Sequence, residues 1–79
     1  MKNYALSILV DNQEGVLSRI SSYFNRKGYR INSLSFEGTE DPELSQVEVV
    51  FSSESQLICQ IINQIKKVVD VVEVKEQTN

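Results

Sequence analysis

The residues with most chemical potential lie together, in Asp11-Asn12-Gln13-Glu14-Gly15-Val16-Leu17-Ser18-Arg19-Ile20. An apolar strand pattern stops here and a helical pattern begins. A helix N-terminus presents backbone N–H groups without intrahelical partners and a partial positive charge, which suit a carboxylate or phosphate. Asn12 can orient a ligand through its amide. Gly15, lacking a Cβ, lets a bound group approach the backbone. The N–H groups near Val16 and Leu17 point out of the helix end, so the turn suits the carboxylate of a small zwitterion. The same residues equally suit a tight turn and a helix cap, with Asp11 and Glu14 spaced as a capping box and Asn12 as the alternative N-cap.

Little else in the chain offers chemistry. Its 79 residues contain no histidine, so the commonest general base and the commonest zinc ligand are both missing. No serine–histidine triad can form. The 11 carboxylates are spread along the chain, and spacing alone forces no two into a cleft. The acidic run Glu40-Asp41-Pro42-Glu43 reads as a solvated turn rather than a calcium loop. Cys59, the single cysteine, excludes an intramolecular disulfide; among Leu57, Ile58, Ile61 and Ile62 it is expected as a small buried or half-buried residue. These residues indicate a chain that is not an enzyme and that holds no metal or cofactor.

The net charge of −3 argues against nucleic acid or an anionic membrane as a partner, since both need a concentrated basic face. Lys66-Lys67 reads as a solvated helix end. No stretch approaches a membrane span or a signal sequence, and a cytoplasmic location is expected. A chain this short buries a small core, which makes association with a partner plausible.

The elements that must position the turn follow from hydrophobic periodicity. Asn3 to Val10 alternates, with Leu6, Ile8 and Val10 toward a core. Val16, Leu17, Ile20, Tyr23 and Phe24 form a helical stripe from Gly15 to Lys27. Arg26 and Lys27 suit the last turn, and Gly28 a left-handed stop. Tyr29 to Glu37 is a second strand, with broken alternation that predicts a bulge near Asn32. Gly38 to Leu44 is a turn. Ser45 to Ser52 is a third strand, with Val47, Val49 and Phe51 on one face, antiparallel to the second.

Ser53 to Val68 reads as a second helix, with Ser53 and Gln56 as a capping box. Val69 to Lys75 is the last strand, with Val72 and Val74 in phase, and residues 76–79 read as a frayed polar tail. The order β-α-β-β-α-β predicts an α+β ferredoxin-like sandwich, a four-stranded antiparallel sheet with two helices on one face. RNA-binding domains share this fold but need aromatics flanked by basic residues on the central strands. Here Phe51 shares the core phase, and Tyr4 sits at a strand's edge.

The turn Asn12-Gln13-Glu14-Gly15-Val16-Leu17-Ser18-Arg19 resembles the ligand loop of ACT domains. Phe24-Asn25-Arg26-Lys27-Gly28-Tyr29, Ile31-Asn32-Ser33-Leu34, Asp41-Pro42-Glu43-Leu44-Ser45 and Lys67-Val68-Val69-Asp70-Val71-Val72-Glu73-Val74 extend the resemblance along the chain. The Asp41-Pro42-Glu43-Leu44-Ser45 turn and the Lys67-Val68-Val69-Asp70-Val71 segment narrow it to the small regulatory subunits of acetohydroxyacid synthase (acetolactate synthase). The resemblance implies one ACT domain over residues 1–79, which pairs as a homodimer. It implies binding and activation of the thiamine-diphosphate-dependent catalytic large subunit, and sensing of a branched-chain amino acid such as valine.

Asn12, Gly15, Val16 and Leu17 would then hold the effector. The family's second contact is an asparagine of the paired domain, just after the Gly-Tyr pair; here that position is Arg30. Arginine can bond the effector's carboxylate but cannot accept a hydrogen bond from its ammonium. Many members continue into a second domain. An effector-insensitive dimerisation and activation module, or an amino-acid-sensing ACT domain of another enzyme or regulator, are the alternative readings.

Overall fold

The computed structural model describes residues 2–11, 15–68 and 70–77. Strand β1 spans Lys2–Asp11, helix α1 Val16–Lys27, strand β2 Arg30–Gly38 and strand β3 Leu44–Ser53. A 3-10 turn at Ser55–Leu57 leads into helix α2, Ile58–Lys66, and strand β4, Val71–Gln77, follows. The four strands form one antiparallel sheet in the order β2-β3-β1-β4. This is the expected ferredoxin-like α+β arrangement.

The period-two pattern explains the central strands. Leu6, Ile8 and Val10 of β1 and Val47, Val49 and Phe51 of β3 are wholly buried, and Leu6↔Val49 and Ile8↔Val47 lie directly opposite. Val16, Ile20, Tyr23 and Phe24 of α1 and Ile61 and Ile65 of α2 close over them in one core, so both helices cover the same sheet face. Phe24 packs on Phe51 with ring centroids 4.9 Å apart. Tyr23 Oη donates to Gln64 Oε1 at 2.6 Å and ties α1 to α2. Gly28 ends α1 in the left-handed conformation, φ 76°, and its N–H reaches back to the carbonyls of Asn25 and Phe24. The predicted bulge in β2 is present: pairing with β3 slips between Ile31 and Ser33, leaving Asn32 as the extra residue.

Several local expectations are corrected. Asp11 is the last residue of β1, and α1 is capped by Gly15 with no side-chain hydrogen bond; Glu14 and Asn12 lie outside the described residues. Ser53 likewise belongs to β3, and Glu54 caps the 3-10 turn, so the second capping box does not form. In both places the strand runs on through the residue expected to cap, because ladder pairing satisfies more backbone groups than a cap.

Cys59 is exposed. The buried pair Ile61 and Ile65 defines the inward stripe of α2, and a residue two positions before Ile61 points roughly 200° around the helix. Val72 is also exposed. Leu9 pairs with Glu73 and Val10 with Val71, so Val72 is skipped as a bulge, and only Val74 of the two reaches the core. Glu76 and Gln77 are not a frayed tail, for they pair with Leu6 and Ala5; residues 78–79 lie outside the described residues.

Candidate functional site

The site is built where β1 hands over to α1. Gly15 sits at φ 87°, left-handed backbone that side-chain-bearing residues rarely adopt. It is the N-cap residue of α1. The Gly15 carbonyl accepts the N–H of Arg19 at 3.0 Å, which starts the helical ladder. The N–H groups of Val16, Leu17 and Ser18 precede that first bond, and they form the donor cluster of the helix end. Val16 is 2% exposed and locks the turn into the core, whereas Leu17 is half-buried and packs against the core's margin. Gly15 itself is exposed. Val16 therefore anchors the start of α1 in the core, while Gly15 lies exposed beside the unpaired donors of the helix end. Asn12, the fourth expected residue of the site, lies outside the described residues.

Sequence reading missed the brace behind this turn. Arg19 Nη2 donates to Asp70 Oδ2 at 2.5 Å, and the N–H of Asp11 donates to the carbonyl of Asp70 at 2.8 Å. Asp70 has φ 77°, the one described non-glycine residue with positive φ. One residue thus meets the end of β1 through its backbone and the first turns of α1 through its side chain. The other guanidinium nitrogen of Arg19, Nη1, would lie 3.5 Å from a Cβ on Gly15. The Asp70 carboxylate matches the Arg19 charge beside the helix end. The pair spans 51 positions, so no local pattern could have disclosed it.

Arg30 is at the far end of the same sheet. It pairs with Ser52, which neighbours Asn3 near the start of β1, whereas Gly15 follows the end of β1, where Asp11 pairs with Leu44. A single chain does not bring Arg30 to Gly15. No cluster of histidine, cysteine or carboxylates fit to hold a metal ion occurs among the described residues, and no helix among them is long and apolar enough to cross a membrane.

Comparison with known proteins decides the family. The model of the AHAS small subunit-like ACT domain matches residues 6–73, from the middle of β1 into β4 and across the Gly15 turn. The chain belongs to the AHAS small subunit-like ACT domain family. It is 39% identical over 74 residues to the acetolactate synthase small subunit of Mycolicibacterium smegmatis, covering 94% of this chain and 44% of that one. To the acetolactate synthase isozyme 3 small subunit of Escherichia coli it is 39% identical over 71 residues, 90% of this chain and 44% of the relative.

The crystal structure of the acetolactate synthase small subunit of Thermotoga maritima superposes with a TM-score of 0.87 at 32% identity, covering 96% of this chain and 47% of that one. The ACT domain of the GTP pyrophosphokinase of Chlorobium tepidum shares the fold, with a TM-score of 0.81, at 11% identity. The chain therefore spans less than half the length of these small subunits.

Proposed function

We propose that the chain is the effector-binding ACT domain of a non-catalytic acetolactate synthase small subunit. It docks on the catalytic subunit, raises its activity, and reports the level of a branched-chain amino acid such as valine. The observation that carries this reading is the family match across residues 6–73, which includes the Gly15 turn with its donor-rich helix end. Asn12, Gly15, Val16 and Leu17 receive the effector's carboxylate and ammonium. The protein works as a homodimer in the cytoplasm, and Arg30 of the paired copy arrives beside the turn. Effector binding at the turn biases the catalytic partner between active and inhibited states, a linkage between two sites.

The homodimer reading is supported by β2. Every residue from Asn32 to Gly38 is exposed, Leu34 by 36% and Phe36 by 45%, and the strand's outer edge pairs with nothing among the described residues. An uncovered edge of nine residues carrying apolar side chains invites another strand.

Reconstitution tests the function. Added to the cognate catalytic subunit, the protein should raise acetolactate formation, and L-valine should then lower it. Activation without inhibition by valine, leucine or isoleucine would favour the effector-insensitive module, a reading that Arg30 in place of asparagine supports. No change of activity and no co-purification would reject both.

A further inference from the structure

A groove runs along the outer face of α1. Ser18, Arg19, Ser22 and Arg26 line it together with Val68, which lies between α2 and β4, and its volume is about 320 Å³. The four helix residues recur at spacings of three and four, so they form one exposed stripe, separate from the buried Val16, Ile20, Tyr23 and Phe24.

The charge of the groove runs against that of the chain. The protein holds 11 carboxylates against eight basic side chains, yet no carboxylate lines the groove among the described residues. The Arg26 side chain has no ion-pair or hydrogen-bond partner among them, and neither do the hydroxyls of Ser18 and Ser22. Arg19 gives Nη2 to Asp70, one of the five N–H donors' two terminal nitrogens, and its other donors stay unengaged there. Helix stability does not account for this stripe. Serine is a poorer helix former than alanine, and Arg19 sits in the first turn, where a cation opposes the helix dipole.

We propose that this groove docks an acidic segment of the catalytic partner, with two of its carboxylates received by Arg19 and Arg26. This rests on the small-subunit reading and gives it a docking surface. Arg19 and Arg26 are seven residues apart, about 10 Å along the helix axis. Carboxylates two turns apart on a partner helix have the same spacing. Each guanidinium can hold a carboxylate through two parallel hydrogen bonds. Ser22 lies between the arginines along the helix and can donate to either carboxylate, and Val68 offers apolar contact to the segment's side-chain stems.

The groove also meets the effector turn through one residue. Arg19 lines the groove, bonds the Asp70 carboxylate, and places Nη1 3.5 Å from where a Cβ on Gly15 would lie. A carboxylate arriving at Arg19 competes with Asp70, whose carbonyl holds the end of β1 through the N–H of Asp11. Docking in the groove is therefore linked to the state of the turn, and such linkage is reciprocal.

Activation titrations against the cognate catalytic subunit test the groove. Arg26→Glu should raise the half-saturating concentration of the protein about tenfold, and Arg26→Lys only about threefold, since lysine keeps the charge and loses the paired hydrogen bonds. Ser22→Glu, which sets a carboxylate between the arginines and leaves the helix end untouched, should act as Arg26→Glu does. Lys2→Glu, the same charge change at an exposed position on β1, should stay within about twofold of wild type. Equal shifts from Arg26→Glu, Ser22→Glu and Lys2→Glu would overturn the groove and leave the small-subunit reading standing. Self-association weakened by Arg26→Glu, with activation unchanged, would place a second copy in the groove and overturn the proposal. Wild-type protein that neither activates the catalytic subunit nor co-purifies with it would overturn the small-subunit reading and the groove with it.

Discussion

The guanidinium of Arg19 meets the carboxylate of Asp70 at 2.5 Å, and the backbone of Asp70 also receives the N–H of Asp11. The turn entering α1 and the turn entering β4 are thereby one unit, although they lie at opposite ends of the chain. The pair is partly exposed, with 44% of the Arg19 side chain and 18% of the Asp70 side chain accessible, so its worth is modest. Asp70→Asn should cost about 0.5–1 kcal/mol in urea unfolding. Asp70→Ala should cost roughly 1 kcal/mol more, because alanine tolerates left-handed backbone worse than asparagine. Equal costs for the two variants would show that the backbone strain at Asp70 is not felt.

Gly15 separates stability from binding. Gly15→Ala should destabilise by about 1–2 kcal/mol, since φ 87° is strained for any residue with a Cβ. Gly15→Asp should stay folded, for a carboxylate beside a helix N-terminus recovers part of that cost. It should nonetheless lose the effector, because its own carboxylate occupies and repels the site. Thermal melts with and without millimolar L-valine check both halves of this expectation.

Tyr23 gives the fold a pH dependence of known sign. Burial, and secondarily the neighbouring Tyr29, raise its pKa above the ordinary 10.0. The folded state therefore favours the neutral phenol, which donates to Gln64. That contribution is whole below the unfolded value and is lost as pH climbs through the raised folded value. Melting temperatures from pH 8 upward should fall more steeply for wild type than for Tyr23→Phe, with the difference opening above about pH 10. Parallel curves would contradict this.

Phe24 is wholly buried at the centre of the aromatic group that includes Tyr23, Tyr29 and Phe51. Phe24→Ala should cost about 3–5 kcal/mol, comparable to the whole stability of a small domain. Circular dichroism should find it largely unfolded at room temperature.

The architecture was legible where one physical rule acts alone. Alternation in β1 and β3, and the stripe of Val16, Ile20, Tyr23 and Phe24, each follow from one-sided burial. Gly28 follows from its freedom at positive φ. Local rules failed where tertiary pairing competed with them. Asp11 and Ser53 carry capping chemistry but pair in strands, and Val72 has the right type for the core but falls on a bulge. Cys59 sits among apolar neighbours in sequence, yet the helical rotation turns it outward.

The site was half legible. The glycine turn shows in the sequence, because only a few residue types suit it. Asp70 does not, because its role comes from a contact across 51 positions. That Arg30 opens an edge strand shows only in the sheet order, which places β2 outermost.

Calorimetric titration of L-valine into the wild-type protein and the Gly15→Asp variant tests the central claim most directly. Saturable heat for wild type, with none for the variant at the same concentrations, is the predicted result. Silence from the folded wild-type protein at millimolar valine, leucine and isoleucine, or equal binding by both proteins, would contradict it.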